Sequence, residues 1–282
     1  MQRSGLAECY IFDGVTMEYI KKNKEAWEEA FDNRKPNWGD KNHIRLKSEK
    51  FAFFDSDMKD LVASIDLKGK RIAQFCCNNG RELLSLVLDG GAALGMGFDI
   101  AENILEQARQ TASNAGISNC EFIAGNILEI PECYYNCFDL IFFTIGAICW
   151  IQDLHQLFQK VGKCLRTGGT LLINDGHPVV SMLAYPSDDE YDADNQCRLV
   201  NSYFRKEPWI GNCGMSYMSV VYESKPFTDY SHTMSDIINA LSANGMKTVK
   251  LNEFDYDIGQ IGSNVFDGKG IPLSYILVAE KS

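Results

Sequence analysis

Histidine is scarce in this chain, with four among 282 residues, at positions 43, 155, 177 and 232, and no Cys-x-x-Cys pair occurs among its ten cysteines. A structural zinc site needs ligands at close, workable spacing. Adjacent Cys76 and Cys77 would point to opposite faces of an extended segment, and Cys133 and Cys137 read as plain loop thiols. No metal is therefore expected. Long apolar runs are missing too. A stretch such as "FDLIFFTIGAICWI" is too short and too interrupted to span a bilayer, so no membrane partner is expected. The first residues, "MQRSGLAECYIFDG", lack the basic start and apolar run of an export signal. Several cysteines lie inside apolar segments, where a reduced thiol packs as a small hydrophobe, and the expected location is cytoplasmic. Positive charge is in deficit: 27 Lys and Arg face 38 Asp and Glu, for a net charge of −11. Such a surface repels polyphosphate and argues against a nucleic-acid partner.

What the chain does contain, from about Lys70 onward, is short apolar runs alternating with helix-period segments. "RIAQFC", "AALGMGFDI", "CEFIAG", "FDLIFFT" and "TLLIND" read as five strands, the fourth buried on both faces. Between them, "GRELLSLVLD", "AENILEQARQTASNAG" and "DLHQLFQKVGKCLRTGG" carry apolar stripes at helical spacing, the last stopping at Gly168-Gly169. Alternation of this kind implies βαβ units and a parallel sheet. After Pro178 the pattern breaks into a polar, aromatic-rich segment with strand-like stretches "RLVNSYFRK" and "MSYMSVVYES". A helix at "SDIINALSANG" follows, with Thr233 and Asp236 spaced as a capping box. Two final strands, "KTVKLNEFD" and "LSYILVAEK", lack a convincing helix between them and are expected to pair antiparallel. The expected domains are a helical cap over 1–55, a core over 56–177 and 233–282, and a lid inserted at 178–232.

Open parallel sheets bind ligands beyond the carboxyl ends of their strands. The first strand-turn-helix, Phe75 to Gly80, could hold an anionic group at the helix start. Asp99 ends the second strand, where a carboxylate can accept both ribose hydroxyls; its other reading is a helix cap, since Asp99 and Glu102 have capping-box spacing. Asn126 follows the third strand and could meet an adenine amino group. The absence of Gly-x-Gly-x-x-Gly after the first strand argues against a nicotinamide-type dehydrogenase.

These segments together resemble the class I S-adenosylmethionine-dependent methyltransferases, over about Lys70 to Lys281 apart from the insertion. The family's first motif has an acid and three glycines, each two positions apart; Gln74, Cys76, Asn78 and Gly80 stand there, so only the last glycine is kept. "GFDI", "GNILEIP", "FDLIFFTIGAICWIQDL" and "CLRTGGTLLIND" are similar to the later motifs, in order and at family spacing. The resemblance extends to a subgroup of mostly uncharacterised small-molecule methyltransferases. It implies an α/β Rossmann-like fold: a seven-stranded sheet in order 3-2-1-4-5-7-6, strand 7 antiparallel, with helices on both faces, an N-terminal helical segment and a β-rich lid insertion. It implies S-adenosyl-L-methionine as cofactor and S-adenosyl-L-homocysteine as product. The cofactor would be held by Phe75, Cys76, Asn78, Gly80, Asp99, Ile100, Asn126, Ile127, Thr144 and Ile145. His177 is the candidate general base, ahead of Asp175, His155 and His232. The acceptor pocket, for a small molecule, is expected behind Trp38, Trp150, Tyr203 and Trp209, with Tyr185, Phe204 and Tyr217. The lid is also expected to supply a homodimer contact. The fourth strand ends "FTIGAIC", without the Asn/Asp-Pro-Pro-aromatic or Pro-Cys segments of nucleic-acid methyltransferases. A non-catalytic cofactor-binding or regulatory protein is the alternative reading.

Overall fold

A computed structural model describes residues 7–259 and 264–282, with side chains from Glu18 onward. Three helices lead in: α1 (Ala7–Asp32), α2 (Asn42–Ser48) and α3 (Ser56–Ser64). The core then runs β1 (Arg71–Phe75), α4 (Arg81–Gly90), β2 (Leu94–Asp99), α5 (Glu102–Ala115), β3 (Cys120–Ala124), β4 (Phe138–Phe143), α6 (Leu154–Cys164) and β5 (Leu165–Gly176). The inserted segment carries β6 (Trp209–Gly211) and β7 (Phe227–Asp229), and the chain closes with α7 (Met234–Ala243), β8 (Met246–Phe254) and β9 (Ser274–Lys281).

The main sheet has the order β3-β2-β1-β4-β5-β9-β8. Counting only its own strands, this is 3-2-1-4-5-7-6. β9 runs antiparallel to both β5 and β8, while β1 to β5 are mutually parallel. Side chains alternate between two buried layers, as a strand's period of two requires. Ala73, Phe75, Ile141, Phe143, Leu171 and Ile173 face α6 and α7. Ile72, Leu140, Phe142 and Leu172 face the layer of α3, α4 and α5. Two covered faces explain why these strands are nearly continuous apolar runs.

Two expectations need correction. The helix α6 ends at Cys164, four residues before Gly168, and β5 begins at once. Leu165 pairs with Phe138 and Thr170 with Leu140, so Arg166–Gly169 bulge opposite Asp139, where Arg166 also forms an ion pair at 3.1 Å. Gly168, at φ +73°, serves this bulge and not a helix end. The lid is not β-rich either: neither 198–206 nor 215–224 forms a strand, and β6 pairs only with β7, over three residues each. The backbone of 215–220 instead folds into turns and bonds to the α1 exit, Lys35 N–H to Met218 at 2.7 Å and Val220 N–H to Asn33 at 3.2 Å. Alternation of residue types makes a strand only where a partner strand is offered.

The lid and α1 are joined side by side. Asn23 donates to the Thr228 carbonyl at 2.7 Å and accepts from the Thr228 N–H at 2.8 Å, a side chain pairing with a strand as another strand would. Beside it Trp27 packs edge to face on Trp150 and Phe227, and Trp150 lies tilted against Phe227, with ring centroids 5.2–6.0 Å apart. Among the described residues no helix is long and apolar enough to cross a membrane, and no group of three metal-ligating side chains gathers.

Candidate functional site

Parallel register brings the strand tips together. Phe75 lies beside Phe98 and Asp99 beside Ala124, so the loops after β1, β2 and β3 emerge as neighbours. Backbone bonds stitch them, Cys77 N–H to Phe98 at 3.0 Å and Gly125 N–H to Asp99 at 2.8 Å. In the first loop Cys76, Asn78 and Gly80 all adopt positive φ, +54°, +50° and +65°. These are the three alternate positions where the family motif has glycine. The left-handed backbone is thus kept although two glycines are gone. Asn is among the residues that enter this region most readily; for cysteine it is unusual. Gly80 has no such latitude, because an added Cβ would overlap the Phe122 ring.

The substituted side chains have partners. Asn78 accepts from the Asn79 N–H at 2.8 Å and donates to the Tyr217 hydroxyl at 3.1 Å, so the lid touches the motif through a side chain that glycine would lack. Gln74, at the acidic position of the motif, is buried. It donates to Thr144 at 2.8 Å and accepts from Leu83 N–H at 3.2 Å, tying β1 to the end of β4 and to the first turn of α4.

Asp99 uses one oxygen for the Asn78 N–H at 2.7 Å and the other for Ala101 N–H at 3.0 Å. Burial raises its pKa, while the N–H groups of Ala101, Asn78 and Ile100 pull it down. The helix cap of α5 is Ala101 with no side-chain bond, so the capping box of Asp99 and Glu102 does not form. Ile100 is half-buried beside Asp99. Asn126 caps a 3-10 turn by accepting from Leu128 N–H at 3.0 Å, and Ile127 is buried. Thr144 is buried and Ile145 half-buried at the tip of β4.

At the tip of β5, Asp175 accepts from the N–H groups of Gly146, Ala147 and Gly176 and so shapes the loop after β4. Burial pushes its carboxyl up to about 6 against those bonds. His177, the candidate base, is 5% exposed and has no free ring nitrogen. Nδ1 accepts from Val179 N–H at 3.2 Å, which leaves the proton on Nε2, facing Glu253 at 2.9 Å. Burial lowers its pKa and Glu253 opposes that. His155 is exposed on α6, and His232 bonds the Ile151 carbonyl at 2.9 Å.

The four expected pocket aromatics do not form one wall. Trp38 lies between Phe31 and Tyr217, next to the first loop. Trp150 packs on Trp27 and Phe227. Tyr203 accepts from Met234 N–H at the start of α7, and Trp209 bonds Ser231 and lies under the Arg205 guanidinium. Phe204 is 70% exposed and packs edge-on against Tyr203. Sequence reasoning missed Asp229, Cys149 and Tyr275. Asp229 ends β7, and burial raises its carboxyl to about 6 although Arg205 pulls it down. No motif marks these three, because segments far apart in the chain bring them together.

A family profile described as a methyltransferase domain matches residues 66–217, more than half of the chain. Similar sequences include an uncharacterized protein of Haemophilus influenzae, 26% identical over 184 residues, covering 62% of this chain and 66% of that one. The demethylmenaquinone methyltransferase of Lactococcus lactis subsp. lactis is 26% identical over 166 residues, covering 57% of this chain and 62% of its own. The chain thus spans just under two thirds of the length of these curated relatives. In fold it is similar to an S-adenosylmethionine dependent methyltransferase from Mesorhizobium loti, with TM-score 0.61 and 18% identity over 82% of this chain and 100% of that one. One from Clostridium acetobutylicum gives TM-score 0.58 and 12% identity over 86% and 96%. With the matching profile and the topology in agreement, this chain belongs to the methyltransferase-domain family, within the class I S-adenosylmethionine-dependent methyltransferases.

Proposed function

We propose that this protein is an enzyme that transfers a methyl group from S-adenosylmethionine to a small-molecule acceptor, leaving S-adenosylhomocysteine. The observation that carries the reading is the loop from Cys76 to Gly80, left-handed at all three alternate positions and bonded through Asn78 to the Asp99 carboxylate. The tips of β3 and β4 leave room for a ligand: a Cβ added at Gly125 or Gly146 would meet nothing within 4 Å. Each Asp99 oxygen takes one N–H and keeps a lone pair, which suits a ribose diol. The residues therefore fit the cofactor.

When bound, the cofactor supplies an electrophilic methyl group on a sulfonium. The chain's own contribution is to hold and align the reactants and keep water out. Asp99 would hold the ribose. Asn126 and Ile127 would flank the adenine. Phe75, Cys76, Asn78 and Gly80 would follow the methionine part, with Ile100, Thr144 and Ile145 at the sides. Trp38 and Tyr217 cover the first loop from the lid side.

His177 has a structural role in this reading. Its Ala variant keeps turnover within about twofold, where loss of a general base would cost about 10²-fold. It loses about 1–2 kcal/mol of stability through broken buried hydrogen bonds. Steady-state rates and thermal unfolding of the variant check both numbers. For the function itself, calorimetry with S-adenosylmethionine and S-adenosylhomocysteine is the test, and both should bind one to one. Absence of binding by the intact protein would end this reading.

A further inference from the structure

The end of β7 is fastened to the loop after β4. Tyr230 N–H bonds the Cys149 carbonyl at 2.8 Å, and the Cys149 thiol donates to the Gly146 carbonyl at 3.2 Å. Asp229, one residue before Tyr230, therefore lies against the loop that carries Thr144, Ile145 and Gly146. From below, Asp175 holds that same loop through Gly146 and Ala147. Burial and then the Asp229 and Asp175 carboxylates and Cys76 hold the Cys149 thiol well above its ordinary value, so all four groups share one neighbourhood.

Around the Cys149 thiol the groups are chiefly carboxylates and aromatic rings, with Arg205 the one cation acting on Asp229. The Asp229 carboxylate makes no hydrogen bond or ion pair among the described residues. Arg205, the one cation that its charge feels, is committed to the carbonyls of Glu207 and Pro208 and to the Trp209 ring. Tyr275 is 1% exposed, faces Asp175 across the β5–β9 ladder, and its hydroxyl has no partner. That hydroxyl feels both Asp175 and Cys149. Tyr19 stacks edge-on against Tyr230 at 5.3 Å, and burial, then Asp257, Asp188 and Asp229, raise the Tyr185 hydroxyl.

A half-buried carboxylate without a partner is costly to keep charged unless a cation completes it. Aromatic rings add attraction for the same ligand. A carboxylate or phosphate ligand would be repelled by Asp229 and Asp175 together.

We propose that the methyl acceptor is a small basic amine, and that Asp229 receives its ammonium group where the lid meets the loop after β4. This rests on the methyltransferase reading above. An ammonium has no lone pair, so it must lose a proton before it can accept a methyl group. Asp229 takes that proton: an N–H bond breaks, an O–H bond forms on the carboxylate, and the electron pair stays on nitrogen. The proton then leaves to water.

The test is a metabolite pool separated by ion exchange at pH 7 into cationic, neutral and anionic fractions. Each is incubated with the full chain and methyl-labelled S-adenosylmethionine. Label is expected in the cationic fraction at tenfold or more over the other two, on the order of one unscreened charge contact. Transfer confined to the neutral or anionic fraction overturns the amine assignment and leaves the methyltransferase reading standing. Intact cofactor binding with no transfer from any fraction overturns both. The Asp229→Asn variant is expected to lower kcat/KM for the labelled amine about 10²-fold, with S-adenosylhomocysteine affinity unchanged. Its Tm at pH 8 is expected to rise by about 2–4 °C, since an uncompensated charge has been removed. A variant that loses stability, or keeps full kcat/KM, marks Asp229 as structural and sinks the proposal.

Discussion

Asp99→Ala weakens S-adenosylhomocysteine binding by about 10²- to 10⁴-fold, the largest single effect expected at the cofactor site. Hydrogen bonds to a charged group are worth about 1.5–3 kcal/mol each, and a ribose diol makes two. The carboxylate also braces the loop, accepting from Asn78 N–H at 2.7 Å and Ala101 N–H at 3.0 Å. Alanine therefore removes the ribose contact and loosens the loop at once. Asp99→Asn separates the two roles. It retains one acceptor oxygen and about half of the bracing, but has no charge to strengthen the contact with the sugar. Calorimetry of both variants, beside thermal unfolding, apportions the loss. Unchanged affinity in the alanine variant would remove Asp99 from the cofactor grip altogether.

Gly80→Ala lowers stability by about 2–4 kcal/mol, a loss of roughly 5–15 °C in thermal midpoint for a chain of this size. Two costs add. The backbone there is at φ +65°, where an L side chain meets its own carbonyl. The new methyl would also overlap the Phe122 ring and crowd Ala108, in a layer already packed by Leu83, Leu84 and Leu105. Cys76→Gly is expected to differ from the parent by less than about 1 kcal/mol, since it relieves the left-handed strain while removing a partly buried thiol. That asymmetry follows from what surrounds each position, not from the motif, which treats the glycines alike. Denaturant unfolding of the pair measures it. A well-tolerated Gly80→Ala would show that the Phe122 contact yields easily.

The sheet was legible because its strands are covered on both faces. β4, "FDLIFF", is apolar at every position except Asp139 because it packs α6 and α7 on one side and α3 to α5 on the other, and such a run is hard to mistake. The antiparallel pairing of β8 and β9 was legible from the lack of a helix between them. The placement of Asp99 and Asn126 at neighbouring strand tips was legible because those tips in a parallel sheet are fixed by register alone.

Other features had no local signature. Residues 166–169 look like a helix end, yet pairing of Leu165 with Phe138 draws them into a bulge. "MSYMSVVYES" alternates as a strand would, but the neighbouring backbone it found was the α1 exit at Asn33 and Lys35. His177 looked available in "NDGHPVV" until Glu253, 76 positions away, came to meet it.

From its own residues, then, the chain dictates the order of strands and helices, the layer each side chain joins, and the three neighbouring strand tips. These depend on periodicity and on neighbours within a few positions. Folding in three dimensions alone decides that Asn78 reaches Tyr217, that His177 is occupied, and that the Asp229 carboxylate comes near the Cys149 thiol. Each of those outcomes requires groups from distant segments to arrive at one point, where burial sets the value of a charge or a hydrogen bond, and no short pattern encodes that meeting.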